Sequence, residues 1–267
     1  MKVLAGPSEL VLVRHGESRG NVADRAAREA GALRLDLEMR DADMPLSDLG
    51  TLQAEALGRH LAASAPDERP TSVFSSPYER AAATARVAAS AAGLGDAVEL
   101  DERLRERELG AFDGMTGEGI RRLHPEEAGR RRWLGKFYYR PPGGESWADV
   151  VQRVRQFMLN LTVDSTTSDR IWVFTHQAVI LAFRVALEQS TEQQILDVDR
   201  SHPIPNCSMT RYRSEDGRWR LEAFADVEPL RGLAPTTQER PAPDRATDDL
   251  GGPDVTSETV DVGGPET

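Results

Sequence analysis

Three short apolar runs along the chain alternate with longer segments in which apolar residues recur at helical spacing. The runs are residues 9–14 (ELVLVR), 71–76 (TSVFSS) and 170–176 (RIWVFTH). Each is short and leads into polar residues, which is typical of a buried strand that ends in a loop. We therefore predict three strands of a buried sheet.

Two of the intervening segments predict amphipathic helices. In residues 47–65, leucine and alanine residues form one stripe behind Ser47, a suitable N-cap. In residues 146–161, the apolar residues follow the helical period, and Ser146 with Asp149 resembles a capping box. Strands that alternate with helices favour βαβ units. The fold prediction is therefore a three-layer α/β/α sandwich with a mostly parallel central sheet and helices on both faces.

The composition changes after about residue 228. Of the 267 residues, 39% are hydrophobic, which is enough for a sizeable core. The last forty residues are instead rich in Pro, Gly, Thr and acidic residues, with few large apolar side chains. Such a segment cannot bury enough surface to offset its chain entropy. We predict a folded domain over residues 8–227 and a disordered acidic tail over residues 228–267.

The bulk charge and the cysteine content exclude several classes of partner. A net charge of −11 argues against binding to nucleic acid or to an anionic membrane surface. No apolar run approaches the roughly 18–20 residues that a membrane span needs, and the first residues make a poor signal peptide. The single cysteine, Cys207, excludes an intramolecular disulfide and a cysteine-based metal cluster. We expect a cytoplasmic protein without metal or cofactor, and the sequence does not specify its oligomeric state.

Polar residues follow all three predicted strands. Arg14 and His15 end the first strand, Arg80 follows the second, and His176 and Gln177 follow the third. Because ligands of parallel α/β sheets bind at the carboxyl ends of the strands, we expect these side chains to lie close together.

This set of residue types points to phosphate chemistry. Arginine forks match phosphate oxygens in a bidentate manner. A cation beside a histidine disfavours the imidazolium, so such a pocket keeps an imidazole neutral and nucleophilic. The leaving alkoxide needs a proton from a general acid. Four carboxylates of the segment DERLRERE are candidates for that acid, and spacing alone does not choose among Asp101, Glu102, Glu106 and Glu108.

Five ordered blocks of the sequence resemble the histidine phosphatase superfamily, also called the phosphoglycerate mutase-like family. The blocks are LVRHGES followed by Asn21, SSPYERAAATA, RLRERELGAFDG, PPGGES and VFTHQA, and they span about residues 10–213. The resemblance implies that His15 is a nucleophile that becomes phosphohistidine and that Glu106 is the proton donor. It also implies that the phosphate is held by Arg14, Arg80, His176 and Asn21.

The resemblance further implies a helical cap insertion over the substrate, at approximately residues 112–145. This segment is similar to the cap of the fructose-2,6-bisphosphatase subgroup. In that subgroup the positions of Arg132, Lys136 and Gln177 contact the substrate.

Three positions depart from that subgroup. Gly117 and Trp147 stand where it has phosphate-binding tyrosines, and Leu181 stands where it has an arginine. The loss of these hydrogen bonds, each worth roughly 0.5–3 kcal/mol, argues against fructose 2,6-bisphosphate as the substrate.

The sequence therefore predicts a phosphomonoesterase that hydrolyses a small phosphorylated metabolite through a phosphohistidine. The basic residues of the cap favour a substrate with a carboxylate or a second phosphate. One alternative is a phosphoglycerate mutase-like phosphotransferase, which would show isomerisation stimulated by a bisphosphate primer. A less favoured alternative is a non-catalytic scaffold that binds phosphorylated ligands.

Overall fold

The structure, a computed structural model, describes residues 6–95, 98–166 and 168–233. From residue 234 onward, the predicted tail lies outside the described residues. No described helix is both long enough and apolar enough to cross a bilayer. The strands are β1 (Glu9–Arg14), β2 (Ser72–Ser75), β3 (Val98–Leu100), β4 (Arg170–Thr175), β5 (Met209–Glu215) and β6 (Arg218–Asp226). The helices are α1 (Arg19–Glu29), α2 (Asp48–Ala63), α3 (Glu79–Ala91), α4 (Gly117–Leu123), α5 (Pro125–Leu134), α6 (Trp147–Asp164), α7 (Gln177–Glu188) and α8 (Glu192–Ser201).

The six strands form one mixed sheet in the order β3-β2-β4-β1-β5-β6. The first four strands are parallel, whereas β5 pairs antiparallel with β1 and with β6. The predicted mostly parallel sheet is confirmed, and the antiparallel hairpin at its edge is an addition. The three strands predicted from the sequence are β1, β2 and β4, which are neighbours in the centre of the sheet.

The apolar run of β1 supplies both faces of the sheet. Leu10 and Leu12 belong to a core cluster that includes the apolar faces of α6 and α7. Val11 and Val13 belong to a second cluster, with apolar residues of α2 and α3. Because successive side chains of a strand point to opposite faces, a strand covered on both sides is apolar throughout. The predicted helices on both faces are therefore confirmed.

The two predicted helix starts are also confirmed. The Ser47 hydroxyl accepts a hydrogen bond from the Gly50 amide at 3.0 Å and caps α2. Ser146 and Asp149 form a capping box at the start of α6, in which each side chain accepts a hydrogen bond from the other residue's amide. Each cap satisfies amide groups that have no partner within the helix.

The loop after β1 passes very close to the start of α2. A Cβ atom added at Gly16 would lie 2.6 Å from the Gly50 carbonyl oxygen, and one added at Gly50 would lie 2.0 Å from the Glu17 carbonyl oxygen. Real Cβ atoms do not approach backbone oxygens so closely, so this crossing requires glycine on both sides. Gly16, the glycine of the RHG motif, is therefore required for the close packing of this loop against the start of α2.

The segment between β3 and α6 carries the predicted cap. It contains α4 and α5, and its small core consists of Phe112, Met115 and Tyr139. This core is separate from the two clusters that cover the sheet. The predicted helical content of the cap is thus present.

Candidate active site

A cavity of about 410 Å³ lies at the carboxyl ends of the parallel strands. His176 is fully buried and packs against His15, with the two ring centroids 5.1 Å apart. The structure therefore brings together side chains that the sequence places more than 150 residues apart. The predicted site residues that line the cavity are Arg14, His15, Asn21, Arg80, Glu106, Lys136 and Gln177.

The backbone around His15 is held from two sides. On one side, the His15 amide donates to the Thr175 carbonyl at 2.9 Å, which continues the pairing of β1 with β4. On the other side, the Cys207 amide donates to the Arg14 carbonyl at 3.0 Å, and the Asn206 side-chain amide donates to the His15 carbonyl at 3.0 Å. These bonds fix the position from which the His15 ring enters the cavity.

The His15 ring has a defined tautomer. Its Nδ1 lies 2.7 Å from the Gly16 carbonyl oxygen, which can only accept a hydrogen bond. Nδ1 therefore carries the proton, and the lone pair is on Nε2. An imidazole with a free Nε2 lone pair can attack an electrophilic phosphorus.

Both histidines of the site are neutral at neutral pH. Burial lowers the pKa of His15 well below its ordinary value, and the charges of Arg80 and Arg14 lower it further. Burial is also the main reason for the low pKa of His176, with Arg80 the next cause. The sequence-based expectation of a neutral imidazole inside a positive clamp agrees with this electrostatic environment.

Ser76, at the end of β2, orients His176. The Ser76 hydroxyl oxygen accepts a hydrogen bond from the Tyr78 amide at 3.2 Å and lies 2.8 Å from Nε2 of His176. When the hydroxyl donates its own proton to Nε2, the ring proton of His176 lies on Nδ1. Among the described residues, this Nδ1 has no hydrogen-bond partner. A buried donor without a partner is costly, so Nδ1 is suited to donate to a ligand.

We expect the free energy of unfolding to fall as the pH is lowered below about 6.5, the ordinary histidine pKa. Burial lowers the pKa of His15 and of His176 in the folded protein. Below 6.5 the unfolded chain therefore binds more protons than the folded chain, and stability is lost as the pH falls. Each histidine contributes at most about 1.4 kcal/mol per pH unit. Urea unfolding at pH values between about 7.5 and 5 measures this slope.

The variant His176→Asn should reduce this slope, because it removes one of the two buried histidines. Glu106 has the opposite effect on the pH dependence of stability. Burial raises the pKa of its carboxyl group, so the free energy that it contributes to stability is lost as the pH rises above 4.5, the ordinary value. A slope that is the same in His176→Asn and in the wild type would contradict the assignment of a buried neutral His176.

The two arginines of the predicted clamp are almost fully buried. Arg14 donates from one terminal nitrogen to the Ile204 carbonyl at 2.5 Å. Arg80 directs both terminal nitrogens at the carboxylate of Asp41 and donates to its two oxygens at 3.0 Å each. The Arg80 fork thus holds an anionic group of the protein itself.

Asn21 lies in the first turn of α1, beside the loop that carries His15. Its side-chain oxygen accepts hydrogen bonds from the Ser18 amide at 2.9 Å and from the Asn206 side chain at 3.3 Å. These bonds use the oxygen of the Asn21 amide and leave its nitrogen as a donor toward the cavity.

The structure distinguishes among the four candidate acids. The Asp101 carboxylate is bound by the Arg103 side chain, with a shortest distance of 2.5 Å, and neither Asp101 nor Glu102 lines the cavity. Glu108 lines the cavity but is exposed, and it accepts a hydrogen bond from the Tyr78 hydroxyl at 2.5 Å. Burial raises the pKa of Glu106, which lines the cavity, so this side chain is the best suited of the four to act as a general acid.

Lys136 and Gln177 meet at a carboxylate that sequence reasoning missed. Asp199 of α8 is fully buried, and its two oxygens accept from the Lys136 ammonium at 2.7 Å and from the Gln177 amide at 3.1 Å. Arg132 is exposed on α5 and does not line the cavity. The structure therefore brings Lys136 and Gln177 to the predicted substrate side, but not Arg132.

Several arginines of the cap are paired with acidic residues of the cap itself or of the start of α6. Cations that line the cavity outside the predicted clamp are Arg34, Arg107 and Lys136, and only Lys136 belongs to the predicted cap. The acidic partners of the cap arginines come from neighbouring turns of α4 and α5 and from the start of α6. The pairs are Arg121 and Arg122 with Glu118, Arg130 with Glu127, and Arg140 with Asp149.

Asp41 and Asn206 are further site residues that sequence reasoning missed, because Asp41 lies in a short 3-10 turn (Asp41–Asp43) and Asn206 in a turn, both between predicted elements. A proline-rich or polar loop gives no periodic signal from which such a residue could be placed. Within the described residues, no group of three or more His, Cys, Asp or Glu side chains is arranged to hold a metal ion.

Comparison with protein families finds one matching model, described as the histidine phosphatase superfamily (branch 1), over residues 10–227. The metal-independent phosphoserine phosphatase of Arabidopsis thaliana is 26% identical over 230 residues, which cover 86% of each chain. A 6-phosphofructo-2-kinase/fructose-2,6-bisphosphatase of the same plant is 29% identical over 217 residues. That alignment covers 80% of this chain but only 26% of the longer relative. Phosphoglycerate mutase-like proteins of Arabidopsis thaliana are also similar.

Solved structures give the same picture of the fold. A mycobacterial glucosyl-3-phosphoglycerate phosphatase in complex with VO3 matches with a TM-score of 0.65 and 28% sequence identity. The match covers 82% of this chain and 98% of the mycobacterial chain. The three-layer arrangement is therefore shared along nearly the full length of that structure.

Proposed function

The chain belongs to the histidine phosphatase superfamily (branch 1), and from this premise we propose that it hydrolyses phosphomonoesters of small metabolites through a phosphohistidine intermediate. One observation carries the proposal. The His15 ring is buried and neutral, holds its proton on Nδ1, and lies in one cavity with Arg14 and Arg80. Nucleophile and clamp are thus present together.

In the first step, Nε2 of His15 attacks the phosphorus of the ester, and the bond between phosphorus and the leaving oxygen breaks. Glu106 gives its proton to the leaving oxygen, so that an alcohol departs and Glu106 becomes a carboxylate. Burial raises the pKa of Glu106, which favours the protonated form that this role requires. The non-bridging oxygens are held by Arg14, Arg80, the Nδ1–H of His176 and the amide nitrogen of Asn21.

In the second step, water attacks the phosphorus and the bond to Nε2 breaks. The Glu106 carboxylate takes a proton from this water, which restores the acid form. Inorganic phosphate and neutral His15 are the result. The low pKa of His15, which burial causes, favours its departure as a neutral imidazole.

The size of the cavity supports a substrate with a sizeable alcohol portion. The cavity volume of about 410 Å³ falls in the range typical of pockets for small organic ligands. Trp147 lines the cavity, whereas Leu181 lies in the core, so neither offers the phosphate contact of the fructose-2,6-bisphosphatases. The cations Arg34, Arg107 and Lys136 favour an additional anionic group on the substrate. Apolar contacts come from Leu35, Leu37, Met39, Leu109, Met115 and Trp147.

A panel of metabolite phosphates tests the proposal. We expect release of inorganic phosphate from at least one sugar phosphate, phosphoamino acid or phosphoglycerate, at the same rate with and without EDTA. A rate that depends on added bisphosphate and yields a positional isomer would instead support the mutase-like alternative. Binding of phosphate esters without turnover would support the scaffold alternative. The cytoplasmic location and the domain limits at residues 8–227 stay predictions.

A further inference from the structure

The Arg80 fork holds a carboxylate at the place where the proposed function puts phosphate oxygens. Its two terminal nitrogens donate to the two Asp41 oxygens at 3.0 Å each, and one of them also donates to the Asp41 carbonyl at 2.7 Å. The Arg80 side chain is only 5% exposed, whereas that of Asp41 is 42% exposed. This two-point arrangement is the one that a guanidinium offers to a phosphate group.

Asp41 belongs to a segment, residues 36–44, that crosses one side of the cavity. The segment is anchored before it by the Leu35 amide, which donates to the Gly114 carbonyl at 2.8 Å, and after it by Pro45, whose carbonyl accepts from Arg19 at 3.0 Å. In the part of the chain that the structure describes, no backbone-to-backbone hydrogen bond joins residues 36–44 to another element. Besides the contact with Arg80, this segment is tied to its surroundings by the Asp41 amide, which donates to the Asp113 carboxylate, and by the buried side chain of Met44.

We propose that Asp41 is a built-in competitor of phosphate at Arg80 and that it sets how tightly the site holds phosphate. The proposal rests on the proposed function, because it takes Arg80 as part of the phosphate clamp. A phosphate group that binds through these same two nitrogens must first displace the Asp41 carboxylate from the fork. The affinity that is measured is then the intrinsic affinity multiplied by the fraction of molecules whose fork is open. A carboxylate on the same chain competes at a high effective concentration.

The same contact has a role at the end of the reaction cycle. After the phosphohistidine is hydrolysed, inorganic phosphate still occupies the fork. The return of the Asp41 carboxylate to Arg80 replaces the charge-assisted bonds that the leaving phosphate breaks. Asp41 therefore lowers product inhibition, at the expense of a higher KM.

The test compares Asp41→Asn with the matched variant Asp43→Asn. Asp43 lies two residues further along, pairs with the exposed Arg40 at 2.7 Å and does not line the cavity. Isothermal titration with inorganic phosphate gives Kd for each protein, and p-nitrophenyl phosphate hydrolysis gives KM and the inhibition constant of phosphate. We expect Asp41→Asn to lower Kd and the inhibition constant by at least about threefold, and Asp43→Asn to leave both within about twofold.

The variant Asp41→Ala checks that the asparagine amide does not keep the contact, and it should change Kd in the same direction. Unchanged or weaker phosphate binding in both Asp41 variants, beside an active wild type, would overturn this inference and would mean that Asp41 orients Arg80. A wild type that neither binds phosphate nor hydrolyses the ester would contradict the proposed function itself. The two failures are thus distinguished by the wild type.

Discussion

Replacement of His15 by alanine is expected to lower kcat/KM for every phosphomonoester substrate by at least about 10⁴-fold, because the reaction loses its nucleophile. No other imidazole can take over. His176, the nearest, has Nε2 bound to the Ser76 hydroxyl and is fully buried behind the His15 ring. Water in the cavity would have to attack directly, without the covalent intermediate that divides the reaction into two steps.

Two measurements check this result for His15. Steady-state phosphate release gives the loss in kcat/KM, with His60→Ala, on the far part of α2, as the control variant. Rapid acid-free denaturation after mixing with a ³²P-labelled ester should trap an acid-labile label on the wild type and none on His15→Ala. Retention of more than about one tenth of the wild-type rate in His15→Ala would exclude the proposed mechanism.

The variant Glu106→Gln is expected to show a loss that depends on the leaving group. For alkyl phosphates, whose alkoxide must be protonated, kcat/KM should fall by about 10²–10⁴-fold. For p-nitrophenyl phosphate, whose phenolate departs without a proton, the loss should be much smaller. The physical basis is the position of Glu106 in the cavity together with a pKa that burial raises, which favours the acid form.

Glu108→Gln is the matched variant, because Glu108 lies two residues away and also lines the cavity. Its carboxylate is engaged by the Tyr78 hydroxyl, so its removal should change the rates for both ester types by a similar, smaller factor. Initial rates across esters with leaving groups of graded pKa give the dependence. If the dependence steepens in Glu108→Gln instead of Glu106→Gln, the general acid is Glu108.

The central fold is predictable because its signals are local and strong. β1 and β4 are apolar on both faces. Each can therefore be recognised as a buried strand from its own residues, without knowledge of which strand it pairs with. Ser47 and Ser146 mark their helices through side-chain caps that depend on three neighbouring residues. The hairpin of β5 and β6 is different. β5 begins with buried residues but ends in exposed, charged ones, and the first half of β6, the edge strand, alternates exposed and partly buried residues. These strands are defined by the pairing of β5 with β1 and of β6 with β5, which a local pattern does not contain.

The residues of the candidate site also divide into those that the sequence predicts and those that it does not. Arg14, His15, Arg80 and His176 follow strands whose ends a parallel sheet brings to one edge, so their proximity follows from topology. Spacing alone leaves four carboxylates open as the general acid. The family resemblance points to Glu106, and in the structure Glu106 lines the cavity with a pKa that burial raises. Asp41, Asp199 and the exposed position of Arg132 depend on how irregular segments and short helices pack, and helical or strand periodicity carries no information on that packing.

Asn206 and Cys207 donate hydrogen bonds to the backbone carbonyls of His15 and Arg14, and this has a consequence for synthesis of the chain on the ribosome. Asn206 stands 191 positions after the residue whose carbonyl it binds. When Gln177 has been added, every side chain with a proposed catalytic role already exists, but β5 and the loop before it do not. A nascent chain of that length has the catalytic side chains but lacks the hydrogen bonds that position His15. The support around His15 is therefore completed late in synthesis, when β5 pairs with β1.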